Sequence, residues 1–480
     1  MVDQRRIVVV GGGISGLATG YHLGRGGCQV TVLEAADVAG GRIATEPVAG
    51  VEVDTGPDAL LMRSPAASAL VAELGLEPLL RPPAAGGAYV WSGGRLRPLP
   101  PGSVFGVPQR LLPLLRSGLL GPAGFVRAGA DLVLPRLPAA ATADPTIEEL
   151  LRPRFGRQVY ERIVEPMLGG VHAGRAGHLS ARSAVPEVAA LAVRHRSLYL
   201  GLRGLDAARR GAPPAPAPLM TLEGGLAVLV HAVRQGILTA GGQVLTAARA
   251  GAVSVGGGGA GYRIVGDGFD PIEADDVVLA TPAPEAARLL RPVAPVASDA
   301  LAGIRYAGVA TVVLAYRAGE AVLPPGTGFL VPPVEGRLLV GCTWTTAKWP
   351  HLVTAAAARS GTAAPVLVRA MVGRDGDQAW AALDDDDLVR AVRAELAAAT
   401  GVRAEPVVVR VRRLPAAMPQ YTVGHARRLD AVRDGLAALP GVHLTGAGYR
   451  GVGIAACLHQ AQQVAAQILS RPTPALRDAS

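Results

Sequence analysis

Cysteine is scarce: the 480-residue chain has three, Cys28, Cys342 and Cys457, far apart and odd in number. That spacing supports neither a disulfide framework nor a Cys-based zinc cluster. Aromatic residues make up 4% and charged residues 18%, against 50% hydrophobic, with 62 glycines and 39 prolines. These proportions exclude a solvated, disordered chain and predict a packed interior broken by many turns. Long apolar runs are missing as well, because Gly, Pro or Arg interrupts each stretch that approaches the ~20 residues of a spanning helix. The opening MVDQRRIVVVGG runs straight into a strand and glycine turn, without a signal peptide's apolar region and cleavage site, so a cytoplasmic location is expected. No nucleophilic triad or H-E-x-x-H motif is evident, and His172, His425 and His459 lack metal-ligand spacing, so no metal site is expected. The net charge of +9 comes almost entirely from scattered Arg. Such a balance suits an anionic substrate, nucleic acid or an acidic membrane surface, and the lack of Lys-rich, aromatic-interleaved stretches points away from nucleic acid.

The length predicts about three domain-sized units. Residues 6 to 35, RIVVVGGGISGLATGYHLGRGGCQVTVLEA, read as strand, glycine turn, helix and second strand ending in an acid. Between 78 and 217 the texture changes to Pro-punctuated Leu/Arg stretches that read as mainly helical, with Thr146-x-x-Glu149 as a helix start and 211–219 as a closing loop. Strand-like VATVVLAYR, GFLVPP, RLLVGCTW and VLVRAMVG follow, and the acidic run Asp384–Asp387 caps a helix. The expected fold is α/β: a Rossmann-like βαβ domain built from discontinuous segments 1–77, 218–300 and 406–470. A mainly helical insertion over 78–217, an α+β substrate domain over 301–405 and a tail over 471–480 complete it.

Gly11-Gly12-Gly13-Ile14-Ser15-Gly16 follows a strand and opens a helix, the context in which G-x-G-x-x-G cradles a pyrophosphate. Glu34 closes the second strand, where a carboxylate can accept from an adenosine ribose, and Ala35 follows it. This fingerprint leaves NAD and FAD open. Gly40-Gly41-Arg42 begins to separate them, since two glycines bring the chain near the pyrophosphate and Arg42 can neutralise it. Late in the chain, Gly446-Ala447-Gly448-Tyr449-Arg450-Gly451-Val452-Gly453 forms a second glycine turn before a helix over 454–469.

The chain resembles the bacterial, Gram-positive type of the coproporphyrinogen III/protoporphyrinogen oxidase family, within the flavin amine oxidase superfamily, over essentially its whole length. The resemblance rests on Leu168–Gly174, Thr221–Leu226, the Met-Pro-Gln-Tyr-x-x-Gly-His stretch at 418–425 and Tyr449–Ile454. It implies FAD held at Gly11, Gly12, Gly13, Ile14, Ser15, Gly16, Glu34, Ala35, Gly41, Arg42, Gly56, Pro57, Asp58, Ala59, the backbone near Val253, and Gly448, Tyr449, Arg450, Gly451, Val452 and Gly453. The flavin is expected to be non-covalent, because no Cys stands beside Tyr449 where related amine oxidases attach theirs. The implied reaction is O2-dependent oxidation of coproporphyrinogen III to coproporphyrin III with release of H2O2. Flavin N5 accepts the hydride, and His425 and Arg450 are candidate catalytic side chains. Protoporphyrinogen IX oxidation and an FAD amine oxidase or carotenoid-type desaturase are the alternatives; a flavin-fold chaperone without turnover is the non-enzyme one. Leu- and Arg-rich segments suit an apolar ring with acidic propionates. Transient contact with the iron-inserting enzyme of haem synthesis is a further expectation. Peripheral membrane contact through VPQRLLPLLRSGLLGPAGF is not favoured, because burial against a neighbouring helix explains the same pattern.

Overall fold

In the computed structural model, the described residues are 4–101, 103–104, 106–108, 110–136, 143–210, 219–256, 261–360 and 363–471. A five-stranded parallel sheet takes its strands from distant parts of the chain, in the order Gln243–Leu245, Gln29–Leu33, Arg6–Val10, Asp276–Leu279 and Val442–Leu444. Parallel strands must be covered on both faces, which is why RIVVV and DVVL read as continuous apolar runs. Alternation still sorts the side chains. Ile7, Val9, Val30, Val32 and Val278 face a core built with helices Ile14–Arg25, Ala227–Thr239 and Ile454–Leu469. Val8, Val10, Leu33, Val277 and Leu279 face a three-stranded antiparallel sheet, Arg249–Val255, Tyr262–Asp267 and Ile272–Ala274, with helix Ala283–Leu290.

A seven-stranded sheet carries the second unit, in the order Val408–Pro419, Tyr306–Tyr316, Val366–Val372, Leu339–Trp344, Gly328–Leu330, Tyr89–Ser92 and Arg95–Pro98. Helix Asp385–Thr400 covers one face through Leu388, Val392 and Leu396. Its N-cap is Asp384, whose side chain accepts from Asp387 N at 2.8 Å. This sheet crosses two expected boundaries. Tyr89–Ser92 and Arg95–Pro98 lie within the span read as mainly helical, and Val408–Pro419 within the span assigned to the C-terminal segment of the dinucleotide domain. The first pair is a hairpin turning at Gly93 and Gly94, both at positive φ; its largely buried YVWS strand pairs with Gly328–Leu330 and leaves Arg95–Pro98 as the sheet edge. The second pairs antiparallel with Tyr306–Tyr316 along most of its length, so hydrogen bonding, not sequence adjacency, decides its unit.

Helices Ile147–Phe155, Glu165–His172 and Pro186–Arg194 gather a separate core around Phe155, Ile163, Leu168 and Val188. The first begins with a capping box: Glu149 N donates to Thr146 Oγ1 at 3.1 Å and Thr146 N to Glu149 Oε2 at 2.8 Å. The loop expected at 211–219 lies, except for Leu219, outside the described residues. Among the described residues, no helix is long and apolar enough to cross a membrane.

Candidate active site

The first glycine turn is shaped by what side chains would collide with. Gly11 has φ of 109°, and a Cβ there would stand 3.0 Å from the Ala280 backbone. A Cβ on Gly16 would fall 1.9 Å from Gly11 O, so this glycine lets the helix sit tightly on the strand. Gly13 is different: a Cβ there would meet nothing within 4 Å. Gly13 is also the N-cap of helix Ile14–Arg25, with no side-chain cap and no acid in the first turn. An open face lined by unspent backbone N–H groups at the positive end of a helix suits a pyrophosphate. Ile14 and Ser15 are buried in that first turn.

Glu34 ties the turn to the second strand. Its Oε2 accepts from Gly12 N at 2.9 Å and its Oε1 from Ala36 N at 2.9 Å, across Ala35. Each oxygen keeps a further lone pair for a ribose hydroxyl. Val253, by contrast, lies within strand Arg249–Val255, 1% exposed and paired with Ile264. The segment that reaches the Glu34 loop is Ala247–Ala248: Ala248 N donates to Glu34 O at 2.8 Å and Ala247 N to Ala36 O at 2.9 Å. Ala247 has φ of 52°, and neither residue carries a sequence signal that marks it.

The Gly40-Gly41-Arg42 segment lies on the first turn. Gly40 bridges Gly13 and donates to Gly12 O at 2.9 Å, and a Cβ on Gly41 would stand 3.2 Å from Gly13 Cα. Arg412 holds the loop from the other side, donating to Arg42 O at 3.0 Å and Gly41 O at 2.9 Å. The Arg42 guanidinium lies 5.8 Å over the Tyr306 ring and donates to Ala416 O at 3.2 Å. Beyond it, a Cβ on Gly56 would fall 2.0 Å from Arg42 O.

The Gly56-Pro57-Asp58-Ala59 turn is anchored to the seven-stranded sheet. Arg369 donates to Gly56 O at 2.6 Å and Asp54 O at 3.1 Å. Asp58 pairs with Arg369 at 3.3 Å and with Lys348, the one lysine in the chain, at 2.8 Å, and accepts from Trp349 Nε1 at 3.2 Å. Burial alone would raise the Asp58 pKa; Arg369 and Lys348 outweigh it and hold the carboxyl well below the usual range. Neighbouring Asp54, without a direct cation, is pushed up by burial to about 6, although Thr45 Oγ1 and Leu226 N donate to it.

The late turn leads from strand Val442–Leu444 into helix Ile454–Leu469. Gly446 and Gly451 have φ of 131° and 114°, and a Cβ on Gly448 would press within 2.8 Å of Tyr306 Oη. Gly453 is a second uncapped glycine N-cap with open space where a Cβ would stand, beside Val452. Arg450 is exposed, whereas Tyr449 is buried and its hydroxyl has no partner. The Met418–His425 stretch braces this turn. Tyr421 Oη donates to Ala447 O at 2.6 Å and accepts from Gly451 N at 2.8 Å, so one hydroxyl pins two points of the turn. The His425 ring stacks on Tyr421 at 4.2 Å, and its Nε2 lies 2.9 Å from Tyr449 O. A carbonyl accepts, so Nε2 carries the proton; burial pushes the His425 pKa down. This geometry makes His425 a brace for the turn. Gln420 Nε2 extends the brace to His172 O at 2.9 Å, and the His172 pKa falls on burial to about 4.

Three glycine segments and two uncapped helix starts thus converge along one path, with Glu34 at one end and half-buried Tyr306 with buried Tyr421 and Tyr449 at the other. That donor set fits a dinucleotide whose planar ring rests by the late turn. The flavin containing amine oxidoreductase family matches residues 14–469. The chain is 32% identical to coproporphyrinogen III oxidase of Bacillus subtilis (strain 168), covering 97% of this chain and 98% of that one. It is 36% identical to the coproporphyrinogen III oxidase of Mycobacterium leprae (strain TN), with 96% and 97% covered. Among solved structures, a candidate protoporphyrinogen oxidase from Exiguobacterium sp. 255-15 matches with a TM-score of 0.85 and 30% identity over 98% of this chain and 99% of that one. A putrescine oxidase variant, at TM-score 0.68 and 18% identity with 98% and 99% covered, shares the fold. The chain is therefore an FAD-binding member of the flavin containing amine oxidoreductases, in their coproporphyrinogen/protoporphyrinogen oxidase family.

Proposed function

We propose that the protein oxidises coproporphyrinogen III to coproporphyrin III in haem biosynthesis, using O2 and releasing H2O2. Six hydrogens leave the substrate in three two-electron steps, so three O2 become three H2O2. Bound FAD supplies the two-electron acceptor that O2 regenerates. The carrying observation is full-length similarity to proteins named coproporphyrinogen III oxidase, at 28% to 36% identity. The residues that hold FAD in this reading are the Gly11–Gly16 turn, Glu34, Arg42, Gly56–Ala59 and Gly448–Gly453. The chain's own contribution is to bind and orient: Arg369 and Lys348 fix the Gly56–Ala59 turn, and Tyr421 and His425 fix the late one.

Protoporphyrinogen IX is the second reading, favoured by 31% identity to the Bos taurus protoporphyrinogen oxidase over 97% of this chain and 98% of that one. Steady-state oxidation of both porphyrinogens at matched oxygen, pH and ionic strength separates them. The expected result is a higher kcat/KM for coproporphyrinogen III, with an advantage that shrinks as salt is added. A clear preference for protoporphyrinogen IX overturns the substrate assignment. A cytoplasmic location and transient contact with the iron-inserting enzyme accompany the proposal. Peripheral membrane contact, the less favoured expectation, draws on exposed Leu112 and Leu115 beside Arg110 and Arg116.

A further inference from the structure

A cavity of about 460 Å³ lies where the helical insertion meets the end of the seven-stranded sheet. Three guanidinium groups line it, each from a different element. Arg175 follows helix Glu165–His172, Arg337 precedes strand Leu339–Trp344, and Arg374 follows strand Val366–Val372. Arg374 is 3% exposed, its Nε has no partner, and one terminal nitrogen reaches Leu339 O at 3.3 Å. A buried guanidinium with unspent donors is costly unless an anion completes it. Burial, and then the like charge of Arg175, push the Arg374 pKa down, although Asp377, Glu165 and Glu395 oppose this.

The acids lining the cavity have other work. Glu395 accepts from Leu338 N at 2.9 Å and Leu339 N at 3.0 Å, one bond on each oxygen, and Asp377 Oδ1 accepts from Ala379 N at 3.3 Å. Arg337 lies 4.5 Å over the Trp91 ring, a contact that uses the guanidinium face and leaves its edge donors for an anion. Pro333 and Leu338 add apolar wall between the cations. The volume exceeds what an inorganic phosphate fills, and the mixture suits an apolar body carrying several carboxylates.

The cavity also adjoins the brace on the flavin turn. Asp375, next to Arg374, donates its N–H to Ala173 O at 2.7 Å, one residue from the His172 carbonyl that Gln420 holds.

We propose that this cavity is a carboxylate-binding site that seats the propionate-bearing edge of a tetrapyrrole. The inference rests on the proposed function for the identity of that ligand. Its test is a fluorescence titration of coproporphyrin III into the FAD-loaded protein, comparing wild type with Arg337→Gln and Arg175→Gln, both at partly exposed positions. Removing one charge-assisted contact should weaken binding about tenfold in each variant, and Arg337→Lys should recover part of the loss. Coproporphyrin tetramethyl ester, which has no carboxylates, should bind all of these proteins alike. Equal affinity for coproporphyrin III in wild type and both Gln variants overturns the proposal, as does ester binding that tracks the variants. Kinetics then separate the source of the carboxylates. A raised KM for coproporphyrinogen III at unchanged kcat assigns the site to substrate, and loss of product inhibition alone assigns it to product. If wild type fails to turn over coproporphyrinogen III while coproporphyrin III binding still depends on Arg337, the proposed function falls and the site stands.

Discussion

At the scale of single residues, two side chains separate binding the cofactor from shaping its site. Glu34 has one oxygen on Gly12 N and the other on Ala36 N, so its charge holds the turn while each oxygen keeps a lone pair open to a ribose hydroxyl. Glu34→Ala removes one charge-assisted ribose contact worth roughly 1.5–3 kcal/mol, and FAD affinity should fall about 10- to 150-fold while the protein stays folded. Equal FAD dissociation constants for the two proteins would count against Glu34 as ribose ligand. Tyr421 never needs to touch the cofactor to matter. Tyr421→Phe keeps the His425 stack but strips both contacts of one hydroxyl, leaving Ala447 O and Gly451 N without this partner. About 1–3 kcal/mol should be lost from the late turn. It should appear as faster FAD release and a perturbed flavin absorbance band, with the thermal transition of the FAD-free protein moved much less. An unchanged flavin spectrum and release rate would refute the brace.

At the scale of elements, local chemistry sets where helices begin, and distant partners set which sheet a strand joins. Asp384 caps helix Asp385–Thr400 through a bond to Asp387 N, and the three acids of the first turn face the positive end of the dipole. Asp384→Ala should cost about 1 kcal/mol in a urea titration of the seven-stranded unit, and Asp384→Asn much less. Equal losses for Ala and Asn would show that the cap bond contributes nothing. The glycine turns were equally legible as strings between a strand and a helix, although the crowding at Gly11 and Gly448 comes from distant Ala280 and Tyr306. The brace was less so. Gln420, Tyr421 and His425 stood out as a motif, but nothing in that string says that one hydroxyl pins Ala447 and Gly451. Likewise the anchor of Asp58 comes from Lys348 and Arg369, some 290 and 311 positions on, and no local pattern reports such a pairing.

At the scale of the whole molecule, buried ionisable groups pull stability in opposite directions with pH. Asp54 titrates near 6 in the folded protein against 3.8 as its reference, so its favourable contribution is complete below that reference and is lost as pH rises through 6. His172 is lowered from 6.5 to about 4, so the folded protein binds fewer protons there and loses stability as pH falls from 6.5 towards 4. The two slopes oppose each other between about 4 and 6. Asp54→Asn removes the first slope while its amide oxygen can still accept from Thr45 and Leu226. The variant should therefore be more stable than wild type above pH 6, by at most about 3 kcal/mol, and its stability should climb more steeply from pH 4 to 6. Denaturant titrations at pH 4.5 and 7 check both; a variant no more stable at pH 7, with the slope unchanged, would remove Asp54 from the account.

The sequence by itself determined the α/β class, both glycine turns, Glu34 at the strand end, the Gly-Gly-Arg segment and the starts at Thr146 and Asp384. Each depends on backbone freedom, capping or apolar periodicity acting over a few residues. Tertiary structure alone decided that Tyr89–Pro98 and Val408–Pro419 join the seven-stranded sheet, and that Ala247–Ala248 reach the Glu34 loop while Val253 packs inside its strand. It also decided that His425 braces the late turn and that Arg175, Arg337 and Arg374 share one cavity. Those outcomes depend on which distant donor meets which acceptor once the cores close. That pairing is fixed by long-range burial and register, which leave no periodic trace in the chain.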